Sequence, residues 1–202
     1  MPADYDGDGK ADIAVFRPSN GTWFISLSSG FYKIGGFIES RNQRTIRFGQ
    51  IGDIPAAADY DGDGRADIAL YRPSTGVWYF INSNTNVIAP LSIQSFQFGI
   101  SEDIPEPADY DGDGKTDVGV YRPSIGAWFI WRSSDNRFQG VNFGVGSDIP
   151  VPADYNGDGR TDIAVYRRSN GGWYSLNIQT NSFSAVQFGA PGDRPLNRPN
   201  LL

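Results

Sequence analysis

Asp59, Asp61, Asp63 and Asp67 stand at positions 1, 3, 5 and 9 of the stretch Asp59-Tyr60-Asp61-Gly62-Asp63-Gly64-Arg65-Ala66-Asp67. Four carboxylates at this spacing repel one another unless a positive charge lies among them. A hard divalent cation supplies it, and Ca²⁺ suits best because it accepts about six to eight oxygens in a flexible shell. Gly64, at position 6, permits the sharp turn. Arg65, at position 7, has no side-chain oxygen, so its backbone carbonyl is the natural ligand there.

The stretch occurs four times. The other copies offer Asp4, Asp6, Asp8 and Asp12 with the Lys10 carbonyl; Asp109, Asp111, Asp113 and Asp117 with the Lys115 carbonyl; and Asp154, Asn156, Asp158 and Asp162 with the Arg160 carbonyl. Asn156 is the one neutral oxygen at position 3. Asp and Gly favour turns in any protein, but a turn needs no carboxylates at four fixed offsets. Fifteen of the 23 acidic residues lie in these loops, which predicts about four Ca²⁺ ions. An EF-hand is excluded, because it needs a Glu at position 12 and a following helix. Position 12 is Val15, Leu70, Val120 or Val165, inside β-branched and aromatic runs such as Asp67-Ile68-Ala69-Leu70-Tyr71. Such runs read as strands.

The elements that hold the loops follow from the repeat. Loop starts at 4, 59, 109 and 154 set a period of 55, 50 and 45 residues. Trp23, Trp78, Trp128 and Trp173 keep a fixed distance from the loop, as do Arg17, Arg72, Arg122 and Arg167. Phe-Gly pairs recur at Phe48, Phe98, Phe143 and Phe188. All-strand repeats of this length predict propeller blades. Each would have a short strand into the loop, a buried strand out of it, a tryptophan strand and an alternating outer strand. Repeats of 1–49, 50–99, 100–144 and 145–189, with a closing segment 190–202, make one β-propeller domain over 1–202.

Composition removes several function classes. The chain of 202 residues has neither Cys nor His, which excludes a thiol nucleophile, a disulfide, a His-based triad and a His/Cys zinc site. The formal charge of −6 argues against a nucleic-acid partner, and no apolar run approaches a membrane span. Met1 leads straight into the first loop, so the expectation is an export signal already trimmed or a longer parent chain. Outside the repeated motifs the only acids are Glu39, Glu102, Glu106 and Asp135, and nothing in the sequence pairs them, so the chain is expected not to be an enzyme. The tryptophans read as repeated core positions rather than a sugar platform. Trp131 breaks the pattern and is the candidate ligand-binding aromatic. The longest insertion, Ser28 to Arg44 with Glu39 and Arg41, is either a drifted surface loop or a ligand loop. The Arg series is expected to pair with Asp53, Asp103, Asp148 or Asp193 of neighbouring blades.

The repeat Asp-Tyr-Asp-Gly-Asp-Gly-Lys/Arg-x-Asp-Ile-Ala-Val-Tyr-Arg-Pro-Ser, with a later Phe-Gly and Asp-Ile-Pro, resembles the FG-GAP (VCBS-type) repeats of integrin-α-like β-propellers. The resemblance covers essentially the whole chain. It implies four-stranded blades and calcium held between the first two strands of each, by loop positions 1, 3, 5 and 9 and the position-7 carbonyl. It also implies an extracellular or cell-surface setting, with a role in adhesion or lectin-like binding to a protein or glycan. Such propellers commonly have about seven blades, whereas four repeats are present. The expectation is therefore an all-β, four-bladed ring closed by its own termini. The alternatives are part of a larger propeller, or head-to-tail self-association into a structural assembly.

Overall fold

The structure is a computed structural model that describes residues 2–29, 32–34, 37–39, 43–84 and 92–196. Its described elements are all strands. Three four-stranded antiparallel sheets run in the order β6-β7-β8-β9, β10-β11-β12-β13 and β14-β15-β16-β17. The first of these comprises β6 (Ile54–Pro55), β7 (Ile68–Arg72), β8 (Val77–Ile81) and β9 (Gln94–Gln97). The next is β10 (Ile104–Pro105), β11 (Val118–Arg122), β12 (Ala127–Trp131) and β13 (Phe138–Asn142), and the last is β14 (Ile149–Pro150), β15 (Ile163–Arg167), β16 (Gly172–Asn177) and β17 (Ser182–Gln187).

The first repeat departs from the expected four strands. Its sheet has three, β1 (Ile13–Arg17), β2 (Thr22–Ser26) and β5 (Gln43–Arg47), while β3 (Tyr32–Ile34) and β4 (Phe37–Glu39) pair as a separate ribbon. The short strand that precedes each other loop comes from the chain upstream of it, and the first repeat has only Ala3, bridged to Asp12, in that place. The side chains of Glu39 and Arg41, and most of the Ser28–Arg44 insertion, lie outside the described residues. The chain divides into two compact units, Met1–Ser101 and Glu102–Leu202. The antiparallel four-stranded sheets fit propeller-like blades.

The repeated landmarks have concrete jobs. Trp23, Trp78, Trp128 and Trp173 donate their indole N–H to the carbonyls of Phe48, Phe98, Phe143 and Phe188 at 2.9–3.1 Å. A buried indole needs such a partner, so tryptophan and Phe-Gly travel together. The Arg-Pro-Ser-x-Gly turn presses its glycine onto the same place. A Cβ on Gly76 would lie 2.2 Å from the Gly99 carbonyl oxygen, and φ there is +66°. Only glycine fits.

Three of the four arginines of the series form ion pairs, but inside their own sheet rather than to a neighbouring blade. Arg72 holds Asp53 through two bonds of 2.8 Å, Arg122 holds Asp103 and Arg167 holds Asp148. Each aspartate immediately precedes the short first strand of the sheet that carries its arginine. The fork-to-carboxylate pair therefore locks the incoming strand onto the strand beyond the loop.

Two cores show how successive repeats interlock. In the first unit, Tyr5, Trp23, Ile25 and Phe48 pack with Ile68, Leu70 and Ile81. In the second, Tyr110, Trp128 and Ile130 pack with Ile163, Val165 and Ile178. The tryptophan face of one sheet thus covers the Ile/Val face of the next. Each fully buried aliphatic side chain contributes about 1.5–3 kcal/mol in such a contact.

Candidate metal centre

Each acidic loop is a hairpin pinned by its own carboxylates. In the second loop the amides of Gly62 and Gly64 donate to the two oxygens of Asp59, at 2.7 and 2.8 Å. Gly62 and Gly64 sit at φ of +80° and +82°, which turns those amides inward. Arg65 N donates to Asp63 and Asp63 N to Asp61. Asp67 closes the turn. Its amide donates to the Ala58 carbonyl, and its carboxylate accepts from Tyr60 N at 2.9 Å. The first, third and fourth loops repeat this scheme around Asp4, Asp109 and Asp154.

A second layer of ligands to the carboxylates went unread in the sequence. Ser83 donates its amide to Asp67 at 2.7 Å and its hydroxyl to Asp63 at 2.7 Å. Ser28 does the same for Asp12 and Asp8, and Ser133 for Asp117 and Asp113. The next residue, Ser29, Asn84 or Ser134, donates to the position-3 aspartate. The signal was present: these serines stand five residues after Trp23, Trp78 and Trp128. Their partners lie about 20 residues back in the chain, and a scan for local motifs does not reach that far.

Carboxylate oxygens converge in three loops. One oxygen each from Asp59, Asp61 and Asp67 lies within 4.8 Å of the others, and the same holds for Asp109, Asp111 and Asp117. In the first loop the converging set is Asp4, Asp6 and Asp8. Oxygens that close fit on a sphere of roughly 2.4 Å radius, a Ca²⁺–oxygen distance. The donor set is all oxygen, which suits a hard cation and disfavours softer metals. Electrostatics point the same way. Burial, aided by the carboxylates of Asp61 and Asp59, pushes Asp67 up to about 6 despite the amides of Ser83 and Tyr60. Burial likewise pushes Asp117 up to about 6, against the Ser133 and Tyr110 amides and with Asp111 adding to the rise. A buried carboxylate so reluctant to ionise is what a dication corrects. The residues fit calcium.

The fourth loop is built differently. Among the described residues it gathers no set of three converging carboxylates. Asn156 stands at position 3 and turns its amide nitrogen toward Asp162, at 3.3 Å. Ile178 stands where the other repeats have the clasping serine, and Asn177 donates to Asp158 instead, at 2.7 Å. The neutral Asn156 leaves this loop three carboxylates where each of the others has four.

Trp131 is half-buried at the end of β12 (Ala127–Trp131), opposite Phe138. The Phe129 and Phe138 rings stack beside it at 6.0 Å and 19°. Of the acids outside the motifs, Glu102 accepts from Ser124, Asp135 pairs with Arg132, and Glu106 is buried. No helix of the described residues is long and apolar enough to cross a membrane.

No curated protein matches this chain. Among solved structures, one similar to it belongs to a lectin of Agrocybe aegerita, described for specific recognition of non-reducing terminal N-acetylglucosamine. The TM-score is 0.63 at 19% identity, over 92% of this chain and 50% of that one. The chain thus spans about half the length of that relative, and the likeness is one of fold. The FG-GAP-like repeat model matches residues 4–70, 59–120 and 109–165, each match running from one acidic loop through the strand beyond the next. Those three overlapping matches take in all four loops and most of the sequence, so the chain belongs to the FG-GAP-like repeat family.

Proposed function

We propose that this chain is a calcium-stabilised, non-catalytic binding module that works outside the cell. The observation that carries this reading is the convergence of buried and half-buried carboxylates at Asp59, Asp61 and Asp67 and at Asp109, Asp111 and Asp117. Calcium would be held by those residues, by Asp4, Asp6 and Asp8 in the first loop, and by the carbonyls of Lys10, Arg65 and Lys115. Its role is to neutralise the loops and fix the strands they join. Weak sites suffice outside cells, where calcium is abundant. The three clasped loops are the strong sites and the fourth is weaker. Thermal melts with calcium and with a chelator test this: the chelated protein should melt well below the calcium form, and coincident melts would defeat the proposal.

Glycan is the favoured ligand class. The support is the aromatic strip of half-buried Trp131 and the exposed Phe138 opposite it, surface of the kind that stacks on a sugar ring, together with the fold shared with a lectin. A glycan array that includes terminal N-acetylglucosamine, probed in calcium with wild type and Trp131→Ala, tests it. Binding that Trp131→Ala abolishes supports the strip, and an array without signal rejects it.

A further inference from the structure

One sheet face in each unit is exposed, and each is the counterpart of a face that is buried elsewhere in the same unit or its equivalent. On β1, Ile13 is 73% exposed and Val15 56%, whereas their equivalents Ile68 and Leu70 are 4% and 0% exposed beneath the tryptophan face of the first repeat. On the last sheet, Phe188 is 77% exposed, Val186 56% and Tyr155 45%; the equivalents Phe48 and Tyr5, covered by the second repeat, are 7% and 1%. A groove on this last sheet runs between Tyr155, Trp173, Ser184 and Val186.

Polar groups match in the same sense. Arg17 pairs with no carboxylate among the described residues and lies over Phe24 at 4.5 Å. Asp193 occupies the place that Asp53, Asp103 and Asp148 hold in their repeats, and accepts the equivalent amide, from Ala190. Yet it is exposed where those three are buried. Within the units, Arg65 lies against Gly7 and Arg160 against Gly112, each following loop capping the one before. Nothing among the described residues comes within 4 Å of the corresponding place on Gly157. Lys10 is the residue that would cap it.

We propose that the Ile13/Val15 face of one copy of this chain docks on the Trp173/Val186 face of a second copy, head to tail. The contact repeats the one already made between the first and second repeats and between the third and fourth. Arg17 then meets Asp193 of the neighbouring copy. Two copies also supply the length of the lectin chain, of which one copy matches 50%. Because the two faces differ, the contact is heterologous, and it closes a pair or continues into a longer assembly.

The test is molar mass by light scattering on three proteins: wild type, Val15→Glu and Val186→Glu. Both substituted residues are exposed, so the variants fold, and their calcium titration should match wild type. Failure of this inference is thereby separable from failure of the calcium reading. Wild type should have at least twice the 22.1 kDa chain mass, and each variant alone should run as a single chain. Mixing the two variants should restore a pair, since each keeps one sound face. A wild type that stays monomeric at high concentration would overturn the inference, whether its faces are covered by residues 197–202 or by nothing. So would either variant associating as wild type does, or a mixture that stays monomeric.

Discussion

The second and fourth acidic loops share a backbone path and differ in what fills it. Around Asp59 the carboxylates of Asp61 and Asp67 face one another, and Ser83 clasps Asp67 and Asp63. Around Asp154, Asn156 and Asn177 bring amide nitrogens to Asp162 and Asp158, and Ile178 replaces the serine. Both loops keep the glycine turns, the amides donated to the first aspartate and the strand beyond. The turn therefore does not depend on the acids that repel. The extra carboxylate of the second loop costs stability unless a cation joins it, which separates the two functions of the motif: folding a hairpin and holding a metal.

The largest effect expected from this contrast comes from removing calcium altogether. At a calcium concentration a hundred times Kd, each site adds about 2.7 kcal/mol. Loss of three such sites should lower Tm by more than about 10 °C in a scanning calorimeter. Next in size is a contrast in the second loop. Asp67→Asn should lower stability in calcium by about 2–3 kcal/mol if one site is lost, and should change it far less in chelator, where removing a buried charge is offset by an amide NH2 set against the Tyr60 or Ser83 N–H. Asp162→Asn, its counterpart in the fourth loop, should change stability by less than about 1 kcal/mol in either condition. Equal responses at the two positions would erase the distinction.

Much of this was legible in the sequence because it is local. The aspartate offsets, the β-branched run after each loop and the fixed place of each tryptophan all follow from short-range spacing. What was not legible depends on partners far along the chain. Ser28, Ser83 and Ser133 acquire meaning only when the tryptophan strand folds back over the loop. Arg72 and Asp53 are 19 residues apart and join strands of one sheet, although repeat arithmetic alone suits a bridge between blades as well. The exposure of Val15 and Val186 is invisible to the pattern, since their counterparts Leu70 and Ile46 are buried with similar neighbours in sequence.

A smaller gain should come from rebuilding the weak loop. Asn156→Asp with Ile178→Ser should add one calcium equivalent in a calorimetric titration, and the reverse pair Asp61→Asn with Ser83→Ile should remove one. Smallest is the pH response. The folded-state values of Asp67 and Asp117, about 6, lie above the ordinary carboxylate value of 3.8. The folded protein thus holds those protons more tightly than the unfolded chain. In chelator, their contribution to stability is greatest below about pH 4 and is lost as pH rises through about 6. In calcium the order should invert, because the metal binds only the ionised carboxylates. Melts at pH 5 and pH 7, with and without calcium, check both signs, and the Asp67→Asn variant should show a weaker dependence.

Calcium bound per chain, counted by equilibrium dialysis at neutral pH and millimolar free calcium alongside a calorimetric titration, tests the central claim most directly. Four carboxylates in each of three loops, against three and the neutral Asn156 in the fourth, predict three comparable equivalents with any further binding distinctly weaker. A chain that binds no calcium under these conditions, or that binds four equivalents of equal affinity, would contradict it.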